Sequence, residues 1–221
     1  MTVQTATLEM LDAVNKIVTK ARKLHSGIPE TVVVLGASGV TRTGQKHGHY
    51  HPGSWKARGD ENKESYGEIF LAGESLERGA VGTLGTILHE LVHAYCHEND
   101  IKDTSNGNRY HNSKFKSKAE EFGLSIEKAE TIGWSVTTVP EETQQAYKEE
   151  LDNLEKSIKV HRKGFSEIKG LEPEKAKPVK RKMQCPECQE PLMVTLKWWD
   201  LVGHSLMCSS HDTYYEMYEE V

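Results

Sequence analysis

The segment from Gly79 onward constrains the fold of this chain most, because its apolar residues recur at helical spacing around two histidines. His89 and His93 are four positions apart. On an α-helix they therefore lie about 40° apart around the axis and about 6 Å apart along it, so both imidazoles can reach one Zn²⁺ ion. Glu90 is positioned to take a proton from a zinc-bound water and pass it to a leaving amine. The sequence HELVH predicts a metal-binding helix that carries a general base.

A catalytic zinc site needs a third protein ligand, because three ligands leave the fourth position open for water. Asn99 stands where a metzincin has its third histidine, which excludes that class. His97 has drifted about 80° around the helix axis from His89, too far to share the ion. We therefore predict that the third ligand is His111, at the start of the next helix. Glu120 or Glu121 is the alternative, in a gluzincin-like arrangement.

The two motifs together resemble the SprT-like metallopeptidase family, which includes the Spartan protease and bacterial and phage SprT relatives. The matching segments are LHELVHAY and, after a variable loop, YHNSKF (Tyr110–Phe115). The resemblance covers about Thr31 to Leu124. Phe115 corresponds to the packing aromatic of the family, whereas Asn112 stands where glycine is common.

This resemblance implies a zincin-like SprT-type domain, a small sheet with helices, in which His89, His93 and His111 bind the catalytic zinc and Glu90 is the base. It also implies an endopeptidase that cleaves protein amide bonds, acting on proteins bound or crosslinked to DNA, with DNA as a partner. Family members often carry a C-terminal zinc module.

The C-terminal cysteines predict a second zinc site of a structural kind. Cys185 and Cys188 form one pair of ligands and Cys208 and His211 form another, with 19 residues between the pairs. This spacing is typical of a zinc ribbon, and His204 is a weaker substitute for His211. In the intervening sequence, the strand-like segment 192–198 is expected to pair with residues 206–207. The remaining cysteine, Cys96, is predicted to be a buried thiol.

Basic and aromatic residues near this module are candidates for nucleic-acid contacts, through phosphate binding and base stacking. The simpler interpretation is a solvated linker followed by tryptophans that fill a small core. The formal net charge of −5 excludes a uniformly basic surface. The candidate residues are Lys180, Arg181, Lys182, Trp198 and Trp199.

Three alternating histidines, His47, His49 and His51, would face one side of a strand. They suggest either a second metal site in the first domain or, more simply, an edge strand that borders the catalytic cleft.

The overall prediction is an α+β protein with three parts: a metallopeptidase domain over residues 1–138, a helical connector and basic linker over 139–182, and a zinc ribbon over 183–221. The predicted elements are a helix at Thr5–Leu24, strands at Thr31–Leu35 and Tyr66–Leu71, a strand or edge loop at Gly44–Trp55, and helices from Gly79, at Asn112–Glu121 and at Glu141–Arg162.

No apolar run reaches the about 18–20 residues that cross a bilayer. The N-terminal segment lacks the apolar core of a signal peptide, so we predict a cytoplasmic protein. Two other functions are compatible with the sequence. One is a nucleic-acid-binding or regulatory protein that works through its zinc ribbon and has a purely structural zinc helix. The other is an interaction protein that dimerises through Glu141–Arg162.

Overall fold

The computed structural model describes residues 3–38, 40–41, 44–59, 65–163, 180–195 and 205–217. The chain divides into two compact units, Met1–Ile168 and Lys169–Val221. Within the described residues, the first unit combines helices with small sheets and the second consists of short strands. The predicted α+β class is therefore confirmed.

In the first unit, the predicted helices and strands up to Glu121 are found within a few residues of their predicted bounds, but five further strands were not predicted. Its helices are α1 (Val3–Leu24), a 3₁₀ helix (Gly73–Arg78), α2 (Gly79–Glu98), α3 (Ser113–Glu121), α4 (Glu141–Ala146) and α5 (Lys148–Ser157). Its strands are β1 (Thr31–Gly36), β2 (Val40–Thr41), β3 (Gly44–Gln45), β4 (Gly48–Trp55), β5 (Tyr66–Ala72), β6 (Thr104–Ser105), β7 (Tyr110–His111), β8 (Ser125–Ala129) and β9 (Gly133–Thr138).

Helix α2 lies at the centre of the first unit. Its apolar stripe is fully buried at Leu84, Leu88 and Leu91, in one core with residues of α1, β5 and α5. Two turns of the same helix carry His89 and His93 on a different face. Burial of the stripe therefore fixes the rotation of the helix and, with it, the direction of the two histidines.

Two sheets flank this helix. In the first, β1 pairs with β5 in parallel and β4 pairs with β5 antiparallel, so β4 is at an edge. In the second, the strand order is β6-β7-β9-β8, and β7 ends at His111. Asn112 then caps α3, because its side chain accepts hydrogen bonds from the backbone amides of Lys114 and Phe115. Helix α3 ends at Glu121, and Gly123, two residues later, has a φ of +82°, the left-handed conformation expected after the end of a helix.

The prediction of one long helix over Glu141–Arg162 is wrong. The chain forms α4 and α5, which are separated at Tyr147, and no helix continues beyond Ser157. The apolar stripe of this segment, including Tyr147, Leu151 and Leu154, is buried in the core of the first unit. The helical part of the predicted connector therefore belongs to the first unit. Its stripe is already covered, which removes the basis for dimerisation through it.

The second unit contains β10 (Lys180–Gln184), β11 (Pro191–Thr195), β12 (Met207–Cys208), β13 (Thr213–Tyr214) and β14 (Glu216–Met217). Strand β10 pairs with both β11 and β14, so residues 180–182, predicted as linker, are part of a strand. The buried side chain of Met183 explains why this basic segment joins a sheet. The predicted pairing of residues 206–207 with 192–198 is also wrong, because Met207 and Cys208 pair with β13 across a tight turn.

None of the helices in the described part of the chain is both long and apolar enough to span a bilayer.

Candidate metal centres and active-site cleft

The structure brings His89, His93 and His111 together at one point. The Nε2 atom of His111 lies 3.3 Å from Nε2 of His89 and 3.1 Å from Nε2 of His93. Two of these rings come from α2, and the third is carried to them by β7. All three predicted ligands therefore present the same ring nitrogen to a common centre.

The opposite nitrogen of each ring is held by a different partner. Nδ1 of His89 is 2.9 Å from the Thr137 hydroxyl, and Nδ1 of His93 is 2.5 Å from an Asp103 carboxylate oxygen. Nδ1 of His111 is 3.2 Å from the Ile132 carbonyl oxygen. A carbonyl can only accept, so Nδ1 of His111 must carry the proton and its Nε2 must present a lone pair. Such partners orient histidine ligands and raise their basicity in metal sites.

The cluster fits a tetrahedral ion. Nitrogen ligands at about 2.0–2.1 Å from a tetrahedral zinc are separated by about 3.3–3.4 Å, close to the two observed separations. Burial lowers the pKa of His89 well below its ordinary value and brings the pKa of His111 to about 4. Both rings are therefore neutral at pH 7, the form that binds a metal. Lone pairs held this close repel each other unless a proton or a cation lies between them.

The side chain of Phe115 packs against all three imidazole rings. Its side chain is fully buried. Its ring centroid lies 4.6 Å from that of His89, 4.7 Å from that of His93 and 4.5 Å from that of His111. The packing role inferred for this aromatic is thus observed, and its contacts limit the rotation of all three imidazoles.

The other ligands considered from the sequence lie elsewhere. Glu120 pairs with Lys116 and Glu121 pairs with Lys118 on the exposed face of α3. His97 borders the cleft near Tyr50, outside the group of three. The open choice between His111 and a glutamate is therefore resolved geometrically in favour of His111.

Glu90 lies beside the histidine cluster with its side chain almost fully enclosed. Burial raises the pKa of Glu90, against the opposing influence of His93, Lys46 and the Tyr50 amide. A carboxylate whose pKa moves toward neutrality is a better general base near pH 7. Gly48 makes this placement possible: a Cβ there would come 2.7 Å from Cγ2 of Thr86 and 3.4 Å from Cγ of Glu90. A side chain at position 48 would displace the helix or the glutamate.

An open cleft of about 1030 Å³ contains the histidines and Glu90. Strand β4 forms one wall, β9 and the loop after α2 form the other, and the glycine-containing face of α2 forms the floor. The cleft is large enough to admit an extended segment of a peptide.

The alternating histidines do not form a metal site together. Nδ1 of His47 is 2.7 Å from the Ser75 hydroxyl, and His51 contacts the hydroxyl of Ser54. His49 stacks on Phe70 and pairs with Glu68. The described residues contain only two groups with metal-binding geometry, and neither includes these histidines. His47 and His49 do line the cleft, as the edge-strand interpretation requires.

The second group consists of Cys185, Cys188, Cys208 and His211. The sulfurs of Cys188 and Cys208 are 3.9 Å apart, and Nδ1 of His211 lies 3.8 Å from the sulfur of Cys185 and 3.5 Å from that of Cys208. A tetrahedral zinc with Zn–S bonds of about 2.3 Å requires S···S separations of about 3.8 Å and S···N separations of about 3.6 Å. All four predicted residues therefore fit one ion.

Several other candidates lie outside what the structure describes. Trp198, Trp199 and His204 are beyond the described residues, and for Lys180 and Arg181 only the backbone is described. Lys182 is exposed on β10. The lone Cys96 is fully buried, as predicted, and burial raises the pKa of its thiol to about 12.

Sequence reasoning missed the partners that hold the histidines, namely Asp103, Thr137 and the Ile132 carbonyl. Asp103 lies in a loop whose sequence indicates only that it is polar and rich in turns. Strand β9, which carries Thr137 and follows Ile132 directly, was not predicted. A backbone carbonyl also leaves no signal in residue types, so only the tertiary structure identifies it.

Comparisons with models of protein families, with curated proteins and with solved structures gave no match. The SprT-like resemblance therefore stays a prediction that rests on the two motifs.

Replacing Asp103 with alanine is expected to weaken zinc binding in the first unit about 10–100-fold, because His93 loses the acceptor that orients it. Competition with a chromophoric chelator measures this change. Asp152→Ala, which removes an exposed carboxylate from α5, is the matched control and is expected to leave the affinity unchanged. Equal zinc affinities for the two variants would contradict the orienting role of Asp103.

Proposed function

We propose that this chain is a zinc-dependent endopeptidase of the SprT-like type. The observation that supports this most is the position of the histidine cluster: three imidazole nitrogens converge in an open cleft, with Glu90 beside them. Three protein ligands with access to solvent are typical of catalytic zinc, whereas structural zinc is closed by four. The first cluster corresponds to the former arrangement and the cysteine-containing cluster to the latter.

His89, His93 and His111 would hold the catalytic ion. Zinc, when bound, supplies a Lewis acid that polarises the scissile carbonyl and lowers the pKa of a coordinated water. Glu90 accepts a proton from the attacking water as its oxygen bonds to the carbonyl carbon. The protonated Glu90 then donates to the leaving nitrogen as the C–N bond breaks, giving a carboxylic acid and an amine, which become carboxylate and ammonium at pH 7 by proton exchange. The raised pKa of Glu90 suits both transfers.

Strand β4 offers a surface for an extended substrate. One edge pairs with β5, and within the described residues the other edge has no neighbouring strand and borders the cleft. A peptide can add to such an edge through main-chain hydrogen bonds, which are independent of sequence. Exposed Val81, Ile132 and Val136 line the cleft and can contact apolar side chains of that peptide.

The second unit is the proposed route to DNA-bound or DNA-crosslinked proteins. Its short strands carry four residues that could hold a zinc ion, and the exposed Lys182 follows Lys180 and Arg181 on β10. Basic residues on a rigid strand are suited to phosphate contacts. The alternative, a nucleic-acid-binding or regulatory protein with a structural zinc helix, leaves the enclosed Glu90 and the open cleft without a role.

The test is cleavage of a DNA-binding protein by the zinc-loaded chain, with and without DNA. Glu90→Gln is expected to lower the rate about 10²–10⁴-fold, because only the proton transfers are lost. The variant should retain its zinc, measured by metal analysis. DNA is expected to accelerate cleavage, by concentrating enzyme and substrate.

Glu98→Gln is the matched control, since Glu98 is an exposed glutamate at the end of the same helix. Equal cleavage by wild type and Glu90→Gln would end the peptidase proposal. Cleavage that is indifferent to DNA would remove only the part concerning DNA.

A further inference from the structure

The side chain of Arg78 lies along the floor of the cleft. Arg78 immediately precedes α2, and its guanidinium reaches forward to the hydroxyl of Thr86, with an Nη2–Oγ1 distance of 2.6 Å. Gly82 leaves room for this path: a Cβ there would lie 2.6 Å from Cβ of Arg78 and 3.7 Å from its Cγ and Cδ. The arginine stem thus lies across the glycine and carries its charge toward the catalytic residues.

Thr86 links the guanidinium to the reacting end of the cleft. It precedes Glu90 by four residues of α2, about 6 Å along the axis. A Cβ placed on Gly48 of β4 would lie 2.7 Å from Cγ2 of Thr86 and 3.4 Å from Cγ of Glu90. The side chains of Thr86 and Glu90 therefore pack against the same residue of β4. Thr86 therefore lies between the guanidinium and the turn of α2 that carries Glu90. A group bound at the guanidinium would occupy the same cleft as the three histidines and Glu90.

The charge of Arg78 is not neutralised within the described residues. Its hydrogen-bond partner is the Thr86 hydroxyl, and burial lowers its pKa, with no offsetting acidic group among the described residues. Lys46 lines the same cleft and is close enough to influence Glu90. We call Lys46, Arg78 and Thr86 the cationic pocket.

Among the described residues, three basic side chains line the cleft, against two acidic ones. The acidic residues are Glu90, which is enclosed beside the histidines, and Asp103, which is held by His93. Lys102 adds a further cation on the opposite wall. The cleft is therefore cationic, although the chain as a whole has a formal net charge of −5.

We propose that the cationic pocket is a specificity subsite that binds an aspartate or glutamate side chain of the substrate close to the scissile bond. This inference rests on the proposed function and specifies its substrate class. A guanidinium matches a carboxylate with two parallel hydrogen bonds, and Arg78 has donors left after its contact with Thr86. Because the pocket is open to solvent, the preference should weaken as ionic strength rises.

The test uses pairs of fluorogenic peptides that differ only by glutamate or glutamine at each position flanking the cleaved bond. At one position, the wild type is expected to cleave the glutamate peptide with a kcat/KM about tenfold higher, the effect of one charge-assisted hydrogen-bonded contact. Arg78→Ala should reduce this ratio to about one, and Arg78→Glu should reverse it in favour of a lysine peptide. Arg58→Ala, at an exposed arginine outside the cleft, should keep the ratio of the wild type.

Binding separates this inference from the proposed function. The zinc-loaded Glu90→Gln variant should bind the glutamate peptide about tenfold more tightly than the glutamine peptide by fluorescence anisotropy, even without turnover. Cleavage and binding without any acidic preference would overturn the inference and leave the peptidase proposal standing. An Arg78→Ala variant that loses both peptides equally would assign Arg78 a purely structural role. Displacement of the glutamate peptide by single-stranded DNA, dependent on Arg78, would assign the pocket to phosphate instead.

Discussion

Replacing Cys185 and Cys188 with serine is expected to remove one of two bound zinc ions and to unfold the second unit. Among its described residues, the buried hydrophobic side chains are Met183, Val194 and the cysteines Cys185 and Cys208. So small a core cannot offset the entropy of ordering the chain, whereas structural zinc contributes about 10–16 kcal/mol in small modules. Metal analysis and amide NMR spectra of the full chain measure the two effects.

The control for this variant is Cys96→Ala, which removes a buried cysteine of the first unit that belongs to neither group of candidate ligands. It should keep two zinc ions and the dispersed signals of the second unit. Retention of both ions by the double serine variant, or dispersed signals without the second ion, would show that this unit does not depend on metal.

Replacing His111 with alanine should have the second large effect, this time in the first unit. Loss of a direct ligand should reduce zinc affinity more than loss of an orienting partner, so by at least about 100-fold. Cleavage should fall to background at zinc concentrations that saturate the wild type. The four-ligand site should still hold its ion, so dialysed protein should contain one zinc instead of two.

His97→Ala is a stringent control, because it removes another histidine from the same cleft and the same chain segment. It should retain two zinc ions. If the His111 variant kept its zinc and its activity while the His97 variant lost them, the third ligand would have been assigned to the wrong residue.

The candidate ligands could be predicted from the sequence because their spacing is local. His89 and His93 share one helix face, and each pair in the second cluster belongs to one turn. His111 was harder, since its distance from His93 is 18 residues and depends on how a polar loop folds back. The partners of the rings could not be predicted, because β9 approaches α2 only in the tertiary structure.

The fold shows the same limit. The course of α1, β1, β5 and α2 follows from apolar periodicity, which is a property of each segment. The break between α4 and α5 at Tyr147 depends on how α5 packs against α1 and α2. Nζ of Lys20 in α1, for example, donates a hydrogen bond to Oε2 of Glu150 in α5 over 2.7 Å. The helical spacing of apolar residues continues through Tyr147, because a local sequence pattern carries no information about packing against distant elements. Strand β10 was not predicted because its basic residues are typical of a solvated linker.

The ligands of the first cluster lie on both sides of the loop that follows α2, with His93 in the helix and His111 in β7. The ion would therefore have a second effect besides chemistry. Zinc would crosslink His93 to His111, which are 18 residues apart, and would restrict the opening of the loop between them. By mass action, zinc at 100 times its dissociation constant would add about 2.7 kcal/mol to the folding free energy of this unit. The melting temperature of the protein would then report the supply of metal, and a cell poor in zinc would hold a looser, more protease-sensitive form of the same chain.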